Sequence, residues 1–172
     1  MDSSTIAGPV SQDAYGPLEI LNKVKTQIPD ITISIIGETK ELVPSSTDSS
    51  IGVATSYLQP TYAIDEDPEL DVLRMISSYL RIFLLKLTLG PVIPGGPGSR
   101  YAYNNPAIID YVKRTYPRLQ YIVSVCTGAQ VLAKAGILDG KRATTSKFSW
   151  REMVASAPNV DWVCERVHRE SR

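Results

Sequence analysis

Two short segments hold residue types in an order that suits covalent chemistry. In Val123-Ser-Val-Cys-Thr-Gly-Ala-Gln130 a cysteine falls where an apolar run ends and small residues open a helical pattern. A sharp strand-to-helix turn of that kind pushes one side chain out of the top of a sheet, which is the layout of a nucleophile elbow. The helix N-terminus behind Cys126 supplies partial positive charge and N–H groups, which favour a thiolate and can hold an oxyanion. The competing reading is a buried structural cysteine, a frequent fate of this residue type. The order strand, cysteine, small residue, glycine, helix favours the reactive thiol. In Val92-Ile-Pro-Gly-Gly-Pro-Gly-Ser99 adjacent glycines follow a second apolar fragment. They suit either a tight turn or a cradle of amides for an anion. No Gly-Lys-Ser/Thr follows at the spacing a phosphate-binding loop requires.

A nucleophile needs a proton partner. The single histidine, His168, stands in a charged stretch near the C-terminus, where chains are usually mobile, so a Cys–His pair is not expected. Asp13, just ahead of Ala-Tyr-Gly-Pro, is the carboxylate candidate, on a loop leading into a helix. Spacing alone makes it only a helix-entry residue. Cys164 lies among polar residues and reads as incidental, so Cys126 is the more reactive thiol on this reading. One histidine and two distant cysteines make no ligand cluster, so no metal is expected.

The elements that would position these residues alternate between strand and helix. Leu18, Ile20, Leu21 and Val24 predict a helix after Pro17, with Glu19 in its first turn. Ile31–Ile36 is rich in β-branched residues and stops at Gly37, a strand pattern. Pro44–Ser50 is a polar surface loop. Leu70–Leu73 and Pro91–Ile93 look like two pieces of strand. Asn105-Pro106 opens a helix, and Gln120–Val125 is a strand expected to be covered on both faces. Thr127–Ala135 predicts a helix closed by Gly136. A strand at Arg142–Thr145, a helix at Trp150–Ala157 and a strand at Val160–Val163 complete the pattern. This is an α/β domain with a mainly parallel sheet, and such sheets place their sites at the carboxyl ends of strands. Both chemical segments fall there.

Composition narrows the partners. The 172 residues amount to a single domain. Lys plus Arg and Asp plus Glu are 18 each, so no basic surplus exists to neutralise nucleic-acid phosphates. Hydrophobic residues at 43% and charged residues at 21% are globular values. Two cysteines make no disulfide framework, and the polar start is no secretory signal, so a reducing cytoplasmic setting is expected. In Arg74–Pro91, Ile76, Leu80, Phe83, Leu84 and Leu87 form a helical stripe, interrupted by Arg81 and Lys86. It falls short of the ~18 uninterrupted apolar residues of a spanning helix. It reads as an amphipathic helix packed on protein, with no membrane partner.

Asp13-Ala-Tyr-Gly-Pro-Leu-Glu-Ile-Leu21, the Pro-Gly-Gly-Pro-Gly loop, Ser124–Ala129, Leu132–Gly140 and Lys141–Thr145 together resemble the ThiJ/PfpI superfamily. The resemblance runs over about residues 13–163 of a single domain spanning 1–172, and its cysteine segment is the most specific part. It implies a class I glutamine amidotransferase-like, flavodoxin-like fold. On it, Cys126 is the elbow nucleophile and Asp13 the acidic residue that hydrogen-bonds the thiol region. The backbone N–H groups of Gly95 or Gly96, with that of Thr127, would form the oxyanion cradle. Protease-like and many glyoxalase-like members carry histidine directly after the cysteine, where this chain has Thr127. Cys-Thr-Gly with Asp-x-x-Gly-Pro resembles the isonitrile hydratase branch, and also the sensor domain of some AraC-type regulators. The implied activity is cysteine-dependent hydration of an isonitrile, a hydro-lyase reaction on a small-molecule substrate without a cofactor. The alternatives are a non-catalytic or redox-sensing domain, and glyoxalase or deglycase activity on α-oxoaldehydes. The family usually dimerises, so a homodimer is the implied assembly.

Three departures from the family pattern stand out. No apolar strand precedes Asp13, residues 74–91 interrupt what would be one strand reading Leu-Asp-Val-Leu-Val-Ile, and the sequence after Val163 is unlike the family's continuation. The domain is therefore expected to be incomplete, lacking its first strand and C-terminal part and carrying an insertion at 74–91. An altered gene product would account for all three, and a transcript lacking the 74–91 codons would support that origin, whereas an intact one would remove it. Losing a buried strand should exceed a native stability of ~5–15 kcal/mol, so the chain is expected not to fold as a competent enzyme.

Overall fold

Helix α1, Ser11–Gln27, starts ahead of Pro17 rather than after it. The computed structural model describes residues 11–27, 33–44, 57–67, 91–96, 98–119 and 121–164. A proline inside a helix removes the N–H that would bond the carbonyl four residues back, here that of Asp13. Asp13 itself occupies the first turn, where the helix dipole favours a carboxylate. The acidic residue at the helix start is thus Asp13, and the predicted loop before Pro17 is helical.

Four two-stranded ladders follow. Strand β1 (Ile36–Gly37) runs parallel to β4 (Tyr62–Ala63), and β2 (Val43–Pro44) antiparallel to β3 (Tyr57–Leu58). Strand β5 (Val92–Ile93) runs parallel to β6 (Val123–Ser124), with Val92 opposite Val123. Strand β7 (Arg142–Ala143) runs parallel to β8 (Asp161–Trp162). The α/β class holds, and three of the four ladders are parallel. Among the described residues, however, the ladders form no continuous sheet; β5, β6, β7 and β8 are shorter than their sequence patterns, β2, β3 and β4 had no strand pattern, and Pro44, expected to open a loop, pairs in β2. Extra backbone bonds lengthen the β5–β6 contact, from Val123 N–H to Pro91 O at 3.0 Å and from Val125 N–H to Ile93 O at 2.9 Å. The strand piece at 70–73, residues 74–90 of the insertion, the loop at 45–50 and His168 lie outside the described residues.

Helix α2 (Gly98–Asn104) was not foreseeable from its Gly-Ser start. Helix α3 (Pro106–Thr115) begins as its sequence predicts, with the Asn105 side chain accepting the Ala107 N–H at 3.0 Å and proline next to the cap. Helix α4 (Ala129–Lys134) ends at Gly136, whose φ of +72° suits a residue without Cβ. There Ile137 N–H bonds Leu132 O at 3.1 Å and Gly136 N–H bonds Ala133 O at 2.9 Å, a Schellman close. Helix α5 (Trp150–Ser156) buries Met153 and sets Trp150 edge-on to Trp162 at 6.4 Å.

The core joins these helices to the β5–β6 ladder. Ile109 and Val112 of α3 pack with Val131 and Leu132 of α4 and with Ala135 and Ile137, and Ile93 and Ile122 pack against them. Ala133, Ala143 and Val160 tie α4 to the β7–β8 ladder. The expectation that Gln120–Val125 is covered on both faces is not met. Successive strand residues face opposite sides: Ile122 packs on the core, while Val123 keeps 39% of its surface exposed. Leu132→Ala is expected to destabilise the fold by ~2–5 kcal/mol, read by denaturant unfolding, because Leu132 is 2% exposed at the centre of this cluster. A loss near zero would show that α4 does not anchor the β5–β6 ladder. Among the described residues no helix is long and apolar enough to cross a membrane.

Candidate active site

The chain leaves β6 extended at Val125 (φ −110°, ψ 132°) and turns abruptly at Cys126, where φ is +53°. Cys126–Gly128 then form one turn of 3₁₀ helix that runs into α4. A left-handed φ at a residue with a Cβ costs ~1–2 kcal/mol and persists only when its surroundings over-determine it. The thiol is exposed. Cys126→Gly is expected to be more stable than Cys126→Ala by about 1 kcal/mol in denaturant unfolding, because glycine takes positive φ without that cost. Equal stability would mean the elbow is unstrained.

Two glycines allow the elbow to sit this close to the β5 loop. A Cβ on Gly128 would press on the carbonyl oxygens of Ile93 and Pro94, so the start of α4 lies directly on that segment. Gly95 is buried, and a Cβ there would stand 2.6 Å from Asp13 Oδ2, 2.7 Å from Val125 O and 2.8 Å from Cys126 Cβ. One point in space is thus ringed by the Asp13 carboxylate, the end of β6 and the Cys126 side chain. Asp13 Oδ2 is buried and has no hydrogen-bond partner among the described residues, an arrangement that costs free energy unless something bonds it. Asp13, Gly95 and Cys126 therefore meet, although the carboxylate stands far away in sequence.

The expected amide cradle is altered in one respect. Gly96, at φ +97°, donates its N–H to Thr127 Oγ1 at 2.9 Å, so that amide is already engaged within the protein. Of the two alternatives Gly95 and Gly96, only Gly95 remains to act with Thr127. The Thr127 hydroxyl also meets Ser99 Oγ at 2.9 Å, and Ser99 donates to Gly96 O at 2.7 Å. Thr145 Oγ1 donates to Cys126 O at 3.0 Å. Nearby, the Tyr101 hydroxyl donates to the Glu38 carboxylate, which holds that phenol above its ordinary range, and accepts from Asn105 Nδ2 at 3.1 Å. This contact joins the end of β1 to α2. Ser99 had no signal in the sequence, whereas Thr145 belonged to a recognised segment without a role of its own. Cys164 has more of a setting than its sequence suggested: its exposed Sγ accepts from Lys147 Nζ at 3.1 Å.

Residues 90–172 match the DJ-1/PfpI family. The likeness to that family's domain runs over just under half of the chain. Cys126, Gly95, Gly96 and Thr127 lie inside the matched segment, and Asp13 lies outside it. An isonitrile hydratase of Pseudomonas putida is 29% identical over 133 residues, which are 77% of this chain and 46% of that protein. A deglycase of Pyrococcus abyssi is 31% identical over 76 residues, 44% of this chain and 45% of that protein. The chain thus spans less than half the length of either relative. Its fold matches the crystal structure of a ThiJ/PfpI family protein from Pseudomonas syringae, with a TM-score of 0.67 and 23% identity over 95% of this chain and 56% of that one.

Proposed function

We propose that this chain hydrates an isonitrile to an N-substituted formamide, with Cys126 as nucleophile and Asp13 as the proton donor or the holder of the donor water. The observation that carries the reading is the buried Asp13 Oδ2, without a hydrogen-bond partner among the described residues, facing the same Gly95 position as the strained Cys126. The thiolate attacks the terminal isonitrile carbon and forms a C–S bond, while that carbon takes a proton from the Asp13 side. The product is a thioimidate. Water adds to its carbon, the C–S bond breaks, the thiol is restored and the formamide leaves. The Gly95 and Thr127 amides are the donors for charge that develops on the added oxygen. The likeness to the isonitrile hydratase supports this substrate class. None of these steps calls on a metal or an organic cofactor.

The likeness to a deglycase supports a second reading, turnover of α-oxoaldehydes at the same thiol. Parallel assays with an alkyl isonitrile and with methylglyoxal separate the two. Formamide release without loss of methylglyoxal supports hydration, and the reverse supports the deglycase reading. Turnover of neither points to a redox-sensing domain in which Cys126 is oxidised to the sulfinic level. Because Asp13, Gly95 and Cys126 are assembled, the proposal takes the chain as active, against the expectation drawn from its three departures. A small-molecule substrate, a reducing cytoplasmic setting and a homodimer complete it.

A further inference from the structure

Two hydroxyl residues that play no part in this chemistry both reach the elbow. Thr145, at the end of Lys141-Arg-Ala-Thr-Thr145, donates its Oγ1–H to the carbonyl oxygen of Cys126 at 3.0 Å. On the other side Ser99, only 4% exposed, donates to Gly96 O at 2.7 Å and meets Thr127 Oγ1 at 2.9 Å. Thr127 Oγ1 accepts the Gly96 N–H at 2.9 Å. The peptide after Cys126 is therefore fixed twice, at its carbonyl by Thr145 and through the next side chain by Ser99 and Gly96.

A non-glycine residue at φ +53° relaxes unless its neighbours hold it. The β6 pairing fixes only the entry to Cys126, through Val125 N–H to Ile93 O at 2.9 Å. The exit is closed by the Gly128 N–H bond to Val125 O at 2.8 Å, and the peptides inside that turn are held from outside by the two hydroxyl systems. We propose that Thr145 and Ser99 are positioning residues, a two-sided hydroxyl clamp that keeps Cys126 in its left-handed conformation and its thiol presented. Neither touches the reacting atoms. Without the Thr145 hydroxyl, the Cys126 carbonyl loses its donor and the peptide turns, which takes the thiol off the elbow. Without the Ser99 hydroxyl, Thr127 loses one of its two anchors on the glycine loop. The proposal rests on reading Cys126 as the nucleophile.

The test is iodoacetamide alkylation of the full chain over a pH series, with both cysteine peptides quantified by mass spectrometry. Cys164 serves as the internal reference. The parent chain should label Cys126 ahead of Cys164. Thr145→Val and Ser99→Ala should each slow Cys126 by about tenfold, in keeping with the loss of one hydrogen bond to a strained peptide, and leave Cys164 unchanged. Thr145→Ser, which keeps the hydroxyl, should label like the parent. Selective labelling that survives unaltered in both Thr145→Val and Ser99→Ala overturns the clamp and leaves the nucleophile reading standing. Equal labelling of the two cysteines at every pH in the parent overturns the nucleophile reading itself and the clamp with it. A variant that unfolds loses its cooperative denaturant transition, and Thr145→Ser then decides: a tenfold loss at Cys126 in that variant overturns the clamp.

Discussion

Cys126→Ala is expected to abolish formamide release from an alkyl isonitrile, and Asp13→Asn to reduce it by about 100-fold or more. The first follows from covalent catalysis, since no other thiol lies at the elbow to form the thioimidate. The second follows from placement. Asp13 Oδ2 is buried with no hydrogen-bond partner among the described residues, and it and Cys126 Cβ stand 2.6 Å and 2.8 Å from where a Cβ on Gly95 would lie. Asparagine keeps the shape of that side chain but cannot cycle a proton. Product formation by initial rates is the readout. An unchanged rate in Asp13→Asn would shift the proton donor to water, and an unchanged rate in Cys126→Ala would remove covalent catalysis altogether.

Gly95→Ala should come close to the same loss while leaving the chain folded. The added methyl would stand 2.6 Å from Asp13 Oδ2, 2.7 Å from Val125 O and 2.8 Å from Cys126 Cβ. Real Cβ contacts do not occur at such distances, so one neighbour must move. The Asp13 side chain is the softest of the three, because the other two are held by the β6 segment. A displacement of about 1 Å at a reacting group costs ~100-fold in rate, and that is the expected fall in turnover. The melting transition should shift far less than for a core truncation such as Leu132→Ala. A Gly95→Ala variant with parental activity would show that Asp13 and Cys126 do not act together.

Much of this site was legible from single residues. The elbow was visible because a β-branched run, a cysteine, a glycine and a helix occur consecutively, and each local preference agrees with the turn that forms. Gly136 was readable as a helix end because its position after Ala135 requires positive φ, which only glycine takes freely. What stayed hidden depends on distance in sequence. Asp13 looks like a helix-entry residue, and it is one, but its approach to Gly95 bridges nearly half the chain. Nothing local marks that contact. The engagement of the Gly96 amide by Thr127 was equally invisible, since a threonine hydroxyl can bond many acceptors and donors. The start of α1 was misjudged because Pro17 usually marks a boundary, whereas here only the Asp13 carbonyl loses a partner to it. The two-face burial of Gln120–Val125 was misjudged for another reason. Apolar content alone does not say whether both sides of a strand are covered, and Val123 is exposed.

The central claim is that Cys126 forms and releases a covalent adduct at the isonitrile carbon. Rapid acid quenching of the full chain with an alkyl isonitrile, followed by mass analysis of the Cys126 peptide and quantification of the formamide, tests it directly. The account predicts a peptide heavier by one isonitrile, formed before the first formamide and absent from Cys126→Ala, with formamide then exceeding the protein many times over. Formamide appearing at the same rate from Cys126→Ala, or an unmodified Cys126 peptide throughout turnover, would contradict it.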